Sequence, residues 1–295
     1  MIDGHILLTS FHHALVDAKN LFYITRHYLF LCLSSTTITQ KNIALEPMEK
    51  YLFDRYAYET ISDFDYQPRA QRSNPIVSQT GIRHFYLSES ILKRLIDQCH
   101  AQKIRLNSIL TSITASAYYR AAGYHNDKTL KIHMMVNIRP KLDLDFEQIG
   151  MFVTVFDCLV HLNEQSCLSL WPNAIEQHHD LHHRIDEKEY IRNCQNDSDL
   201  LKLIHANELL SCDDVQFAFS NLGLLPNLDS NAIVEQYFGV SLVEQRWTSS
   251  ILLGISTIHN HLCFTITYNK NQIQNEFLDK WIENIYYLLE QIEKK

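Results

Sequence analysis

Glycine and proline are scarce in this chain, whose 295 residues contain only seven glycines and six prolines. Such a composition leaves little room for disordered or low-complexity segments. The glycines are too dispersed to form the glycine-rich loop that cradles phosphate groups, and no segment repeats along the chain. We therefore expect a folded protein without a phosphate-binding loop or a repeat architecture.

Cysteine is infrequent and scattered. The chain has seven cysteines, at positions 32, 99, 158, 167, 194, 212 and 263, and no two of them have C-x-x-C spacing. This odd, unpaired set argues against a disulfide framework, so we expect reduced thiols in a cytoplasmic protein. The opening residues, Met1 to Gly4, lack the basic stretch of a secretory signal, which favours the same compartment.

Positive charge is in deficit. Lys and Arg number 26 against 34 Asp and Glu, a formal net charge of -8, which argues against a nucleic-acid or anionic-membrane partner. Long apolar runs are lacking as well, because Arg26 and His27 interrupt the stretch from Leu21 to Leu33. Crossing a bilayer takes about 20 apolar residues, so we expect no membrane span.

Apolar residues are plentiful, at 46% of the chain, and their spacing alternates between strand and helix periods. The pattern predicts strands over 5–11, 82–87, 130–138, 151–162, 215–220, 250–256 and 261–268, and helices over 17–32, 46–59, 89–102, 108–122, 167–189 and 275–293. A linker is predicted at 66–80, where prolines cluster. This order indicates a mixed α/β or α+β fold in which long helices cover a substantial sheet.

Two helix starts carry capping signals. Ser88 is expected to cap the helix 89–102, and Asn107 the helix 108–122. The second helix has apolar or small residues on most sides, which predicts that it is buried.

The first predicted strand ends in two adjacent histidines, His12 and His13, and Asp17 follows four residues later. A strand end fixes the backbone, so one imidazole can point into a cleft and act as a general base. The carboxylate of Asp17 can hold the local turn through an ion pair. The alternative is that the two histidines simply form a solvated strand end.

Three further segments follow this motif in order: 107–122, 134–140 with 149–152, and 218–223. With these segments, the hairpin and the last helix, the chain resembles the coenzyme-A-dependent acyltransferase superfamily. That group includes chloramphenicol acetyltransferase, the condensation domains of nonribosomal peptide synthetases, and alcohol and polyketide-associated O-acyltransferases. The resemblance implies a chloramphenicol-acetyltransferase-like mixed sheet covered by helices.

Two departures from that superfamily stand out. Its members carry most of an N-terminal lobe ahead of the histidine motif, whereas only eleven residues precede His12 here. The resemblance therefore implies a remnant of the N-terminal lobe over 1–70, carrying the HHxxxD motif, and a C-terminal lobe over 81–295. The glycine that usually follows the aspartate is Ala18, which adds strain only if that position requires a positive φ.

The resemblance also implies an activity, the transfer of an acyl group from a coenzyme A or carrier-protein thioester to an alcohol or amine. No tightly bound cofactor is implied, because the acyl-coenzyme A or phosphopantetheine-linked donor is a substrate. His13 would be the general base and His12 a packing or orienting residue. Asp17 would point away from substrate and pair with Arg139.

Ser220 and Asn221 are the candidate donors to the oxyanion of the tetrahedral intermediate, and Trp247 is a candidate for lining the same channel. Each supporting residue has a plainer alternative. Arg139 can be a surface or generic ion-pair arginine, Ser220 and Asn221 can form an Asx-type turn, and Trp247 can be part of the core.

A second interpretation of the whole chain remains open. If most of one lobe is missing, the chain can be a non-catalytic remnant or subunit that binds a carrier or partner protein. A second chain could also supply the missing lobe. An exposed apolar face where that lobe would pack is the expected signature of this alternative.

Four histidines, His178, His179, His182 and His183, are spaced so that two pairs lie four residues apart on the helix 167–189. Such pairs can bind zinc. The charged residues Asp180, Arg184, Asp186, Glu187 and Lys188 surround them, and no third ligand is evident nearby. We therefore expect a solvated helix face, weak adventitious metal binding and no metal site.

Overall fold

The computed structural model describes residues 79–145, 148, 152–193, 215–225, 250–258 and 260–293. Among these residues are six strands and four α-helices whose bounds are described here. The strands are β1 (Thr80–Leu87), β2 (Lys128–Asn137), β3 (Val153–Leu162), β4 (Val215–Leu224), β5 (Ile251–Ile258) and β6 (His261–Asn269). The helices are α1 (Glu89–Gln102), α2 (Leu106–Ala121), α3 (Leu170–Asp186) and α4 (Asn275–Glu293).

All six strands belong to one mixed sheet, in the order β1-β6-β5-β4-β2-β3. The hairpin partners β5 and β6 are antiparallel, as are β6 and β1. In the middle of the sheet, β5, β4 and β2 run parallel. The predicted mixed sheet covered by helices is confirmed.

The chain divides into two compact units. The first consists of residues 1–66, 137–153 and 226–234, and the second of residues 67–136, 154–225 and 235–295. Apart from Asn137 and Val153, every residue of the ten elements lies in the second unit. The predicted lobe 1–70 and most of the predicted linker 66–80 lie outside the described residues, so these boundaries remain predictions.

Helix α2 is buried as its composition predicts, with eleven of its sixteen residues inaccessible to solvent. Hydrogen bonds attach it to the helices on either side. The Ser112 hydroxyl donates to the Leu170 carbonyl of α3 at 2.8 Å, and the Trp281 indole of α4 donates to the Thr114 carbonyl at 2.9 Å. Since Trp281 is fully buried, this bond satisfies a polar group that would otherwise be costly in the core.

Aromatic side chains join α2 and α4 to the sheet. Tyr118 of α2 packs against Phe217 of β4 and against Phe277 and Trp281 of α4, with ring centroids 5.1 to 5.6 Å apart. Offset and edge-on contacts at this distance contribute about 0.5–1.5 kcal/mol per pair beyond burial. The cluster therefore fixes both helices on the face of β4.

Strand β3 lies at one edge of the described sheet. Side-chain N–H groups donate hydrogen bonds to three of its backbone carbonyls. The Val155 carbonyl accepts from Asn193 Nδ2 at 2.9 Å and the Asp157 carbonyl from Arg184 Nη1 at 2.6 Å. The Leu159 carbonyl accepts from Gln177 Nε2 at 2.9 Å. Alternate carbonyls of a strand point the same way. These three donors therefore bind carbonyls on one side of β3, the side that faces away from β2.

Helices α1 and α4 have the bounds that the sequence predicts, but three other predictions need correction. Asn107 does not cap α2, because that helix begins at Leu106 and Arg105 occupies the N-cap position. The segment 167–189 divides into a 3-10 turn, Ser166–Leu168, and α3. Strand β4 runs to Leu224 instead of ending at Ser220.

Ser88 does occupy the N-cap position of α1, but its side chain bonds no backbone group of the helix. Its hydroxyl lies 2.9 Å from the Ser90 hydroxyl instead. No helix within the described ranges is long and apolar enough to span a membrane.

Candidate functional site

The predicted site residues fall into two groups. His12, His13, Asp17 and Trp247 lie outside the described residues, whereas Arg139, Ser220 and Asn221 are described. Arg139 belongs to the first compact unit, and Ser220 and Asn221 belong to the second.

Arg139 follows the end of β2 and opens a 3-10 turn, Arg139–Lys141. Asn137 prepares this turn, because its side-chain oxygen accepts from the Arg139 backbone N–H at 3.3 Å and from Nη1 at 3.2 Å. Nε and Nη2 of the same guanidinium both donate to the Gln148 carbonyl, at 3.3 and 3.1 Å. The Phe152 ring centroid lies 4.7 Å from the guanidinium carbon.

Arg139 is 2% exposed, so it is not a surface arginine, while the alternative of a generic ion-pair arginine stays open. Burying a guanidinium is costly unless hydrogen bonds and an opposite charge compensate for its lost hydration. Its planar donors suit a carboxylate held in a fixed orientation. Sequence reasoning missed the roles of Asn137, Gln148 and Phe152, although an Asn near the end of a predicted strand is a recognisable turn signal.

Ser220 and Asn221 lie near the carboxyl end of β4, in the parallel centre of the sheet. Ser220 is paired with Met135 of β2 on one side and with Gly254 of β5 on the other. The pairing with β5 becomes irregular between Asn221 and Leu224. Gly223 within this interval has a φ of +71°, a conformation that costs glycine nothing.

The Asn221 side chain is held at both ends. Its Oδ1 accepts from the Gly223 backbone N–H at 2.8 Å, which is the Asx-type contact of the plainer alternative. Its Nδ2 donates to Oδ1 of Asn107 at 3.1 Å. The amide is therefore both part of a local turn and part of a contact with helix α2.

Asn107 is the residue of this arrangement whose role the sequence did not reveal. It lies in the first turn of α2, and besides accepting from Asn221 it donates from Nδ2 to the Met134 sulfur of β2 at 3.4 Å. His178, a distant residue, accepts a hydrogen bond at the start of α2 instead. The backbone N–H of Arg105 donates to His178 Nδ1 of α3 at 3.5 Å.

The histidine cluster on α3 is less uniformly solvated than expected. The rings of His178 and His182 are 4.3 Å apart between centroids, and His178 Nδ1 lies 3.3 Å from the hydroxyl of the buried Ser108. Burial lowers the pKa of His178, and the neighbouring His182, His179 and Arg105 lower it further. Within the described ranges, no three His, Cys, Asp or Glu side chains are grouped so that they could hold a metal ion.

A surface groove of about 560 Å³ lies along the other edge strand, β1. It is lined by His84, Phe85, Tyr86, Leu87, Ser88, Ile91 and Tyr286. None of the predicted site residues contributes to this groove.

Neither the known family profiles nor the curated proteins include a match to this chain. Solved structures do match. The epimerization domain from the third module of tyrocidine synthetase B is similar with a TM-score of 0.60 at 13% identity, over 96% of this chain and 68% of that one. The condensation domain that mediates chain release from the enacyloxin polyketide synthase is similar with a TM-score of 0.53 at 16% identity, over 96% and 57%.

A third similar structure is the trichothecene 15-O-acetyltransferase TRI3 from Fusarium sporotrichioides, with a TM-score of 0.54 at 11% identity. The match covers 74% of this chain and 48% of that one. The chain thus spans about half to two thirds of the length of these structures. At such low identity the likeness shows the fold alone, and that fold is shared with an epimerization domain, a condensation domain and an O-acetyltransferase.

Proposed function

We propose that the chain is an acyltransferase that moves an acyl group from a coenzyme A or carrier-protein thioester to an alcohol or amine. The shared fold supports the reaction class, since a condensation domain and an O-acetyltransferase are among the similar structures. The motif His12-His13 with Asp17 supports the position of the base. The acyl-coenzyme A or phosphopantetheine-linked donor is a substrate in this reaction.

In the proposed reaction the imidazole of His13 removes the proton of the attacking hydroxyl or amine as the new bond to the thioester carbonyl forms. The same imidazole then returns that proton to the departing thiolate when the carbon–sulfur bond breaks. A histidine suits both steps because its unperturbed pKa of about 6.5 lies close to neutral pH.

The burial of Arg139 is the observation that carries the proposal. We infer that the carboxylate of Asp17 is the anion that the buried guanidinium binds, which would hold the chain after His13 in place. Asp17 would then point away from the substrate, and its role would be structural.

The oxyanion of the tetrahedral intermediate requires donors, and we propose Ser220 and Asn221. A side-chain amide carries two N–H groups, and the contact with Asn107 uses one of them. The second N–H of Asn221 and the Ser220 hydroxyl are the groups that we assign to the developing negative charge. Each such donor contributes about 2.7–4 kcal/mol in transition-state stabilisation in enzymes where it has been removed.

The test is acyl transfer by the purified chain from acetyl-, octanoyl- and palmitoyl-coenzyme A to a panel of primary alcohols and amines, with the products identified by mass spectrometry. His13→Ala is expected to abolish transfer and leave the melting temperature unchanged. Asp17→Ala is expected to lose acyl transfer and also to lower the free energy of unfolding by about 3–5 kcal/mol, because it leaves a buried charge without its partner.

His100→Ala is the matched control, because His100 is an exposed histidine in the last turn of α1. It should behave like the unmodified chain in both measurements. Transfer that survives in His13→Ala would exclude this histidine as the base. A chain inactive with every donor and acceptor would overturn the proposed function.

A further inference from the structure

Three elements of the second compact unit meet at the side chain of Asn107. Oδ1 accepts from Asn221 of β4 at 3.1 Å, and Nδ2 donates to the Met134 sulfur of β2 at 3.4 Å. Both polar atoms of the amide therefore make tertiary contacts, although a sulfur atom is a weak acceptor. Because Arg105 holds the N-cap position, Asn107 has no capping role on its own helix.

Two hydrogen bonds orient the Asn221 amide, one from the Gly223 N–H and one to Asn107. Asn221 Oδ1 receives the Gly223 N–H at 2.8 Å, so its Nδ2 must point the other way, towards Asn107 Oδ1. Without Asn107 the amide would retain only the local contact with Gly223. The orientation of Asn221 thus depends on a residue of another element.

Helix α2 is a rigid support for this contact. It is buried along most of its length, and the Ser112 and Trp281 hydrogen bonds attach it to α3 and α4. A side chain on such a helix is placed more accurately than one on a loop. Positional errors of about 1 Å at a reacting group can lower the rate about 100-fold.

We propose that Asn107 is a positioning residue that holds Asn221 and the Gly223 turn in the orientation required for acyl transfer. This inference rests on the proposed function, in which Asn221 donates to the acyl oxygen. Asn107 itself touches no reacting atom in this scheme. It acts through Asn221.

Two substitutions at Asn107 separate the hydrogen bond from packing. In Asn107→Asp a carboxylate oxygen can still accept from Asn221 Nδ2, whereas Asn107→Leu has a similar volume but no acceptor. We expect Asn107→Leu to lower kcat about 10- to 100-fold with little change in KM for the acyl-coenzyme A. Asn107→Asp should retain kcat within about threefold of the unmodified chain.

Asn284→Leu is the matched control at the other end of α2. Asn284 of α4 accepts from Arg120 Nε at 2.8 Å, so the substitution removes a comparable contact between an amide and the same helix. It should lower the melting temperature without lowering kcat. An equal fall of kcat in Asn284→Leu and Asn107→Leu would mean that only stability matters, and would overturn the proposal.

Hydrogen exchange at the Gly223 backbone amide gives a readout that needs no activity. If Asn107 holds Asn221, exchange at Gly223 should accelerate in Asn107→Leu and remain slow in both Asn107→Asp and Asn284→Leu. Unchanged exchange in Asn107→Leu would overturn the proposal. If the unmodified chain transfers no acyl group, the proposed function fails, while the exchange rates still decide whether Asn107 holds Asn221.

Discussion

At the residue scale, the imidazole of His178 takes the place of a local cap on helix α2. The Arg105 N–H at the helix start donates to its Nδ1, and the Ser108 hydroxyl in the first turn lies 3.3 Å from the same atom. A neutral imidazole can accept a hydrogen bond there, whereas an imidazolium ion cannot. The positive end of the helix dipole also disfavours the charged form.

The lowered pKa of His178 predicts that stability decreases in mild acid. In the unfolded chain this histidine titrates near 6.5, while in the folded chain burial, His182, His179 and Arg105 lower its pKa. The unfolded state therefore binds more protons below about pH 6.5, so the stabilisation is complete above that pH and is lost as the pH falls. Thermal unfolding between pH 7.5 and 5 measures this loss.

His178→Asn offers an acceptor near the position of Nδ1 but does not titrate, so its melting temperature should fall less between these two pH values. His100→Asn, at the exposed end of α1, should retain the full pH dependence. Parallel curves for His178→Asn and the unmodified chain would contradict the assignment.

Residues with distant partners were the hardest to predict. The interpretation of Asn107 as a cap follows a sound local rule, but the actual partner, Asn221, is 114 residues further along the chain. The acceptor of the Arg105 N–H is likewise 73 residues away. Arg139 could be singled out because its surrounding segment resembles a known family, whereas the Gln148 carbonyl that binds it carries no signal in the sequence.

At the element scale, three side-chain donors occupy carbonyls of β3, a strand at the edge of the described sheet. Arg184 Nη1 and Asn193 Nδ2 occupy the carbonyls of Asp157 and Val155. Replacing both donors in Arg184→Met/Asn193→Leu leaves two adjacent edge carbonyls open to another molecule. We expect this double variant to self-associate with increasing concentration, as measured by sedimentation velocity.

Asn284→Leu serves as the control for this double variant, because it also replaces a polar side chain but leaves the three side-chain donors to β3 carbonyls in place. It should sediment like the unmodified chain at all concentrations. A double variant that shows no association at high concentration would mean that the side-chain donors do not protect the edge.

Element types were predicted better than element ends. The apolar periods of α1 and α4 end where the structure ends them, since polar residues flank both helices. Strand β4 was predicted to end at Ser220 because Asn221-Leu222-Gly223 is typical of a turn. Pairing with β5 nevertheless resumes between Leu224 and Thr257, and this long-range contact carries the strand past the turn residues.

At the scale of the whole molecule, the core encloses the described cysteines. Cys99, Cys158, Cys167 and Cys263 are all buried, and no disulfide joins any two of them. Burial raises the pKa of Cys99 to about 11 and that of Cys158 to about 12, and it also raises the pKa of Cys167. Because the thiolate is the reactive species, burial protects Cys99, Cys158 and Cys167 both by limiting access to the sulfur and by raising the thiol pKa.

We therefore predict that iodoacetamide at pH 8 leaves these four cysteines unmodified in the native protein and modifies all of them in guanidinium chloride. Peptide mapping by mass spectrometry, with glutathione as a reference for the intrinsic rate, measures each site. Alkylation of native Cys158 at the glutathione rate would contradict the prediction.

The fold class could be predicted although the similar structures share only 11 to 16% of residues with this chain. The reason is physical: apolar periods and strand order determine a layered fold, and many different side chains satisfy them. The site depends instead on individual contacts between distant residues. The sheet could therefore be predicted from the apolar periods, whereas the contact between Asn107 and Asn221 could not.

The sheet order has a consequence for synthesis of the protein on the ribosome. The only described neighbour of β1 is β6, and more than half of the chain separates the two in sequence. At translation rates of about 5–20 residues per second, β1 waits roughly ten to forty seconds before β6 is made. During that interval its apolar residues are candidates for chaperone binding, and the sheet closes only once nascent β5 and β6 have left the exit tunnel.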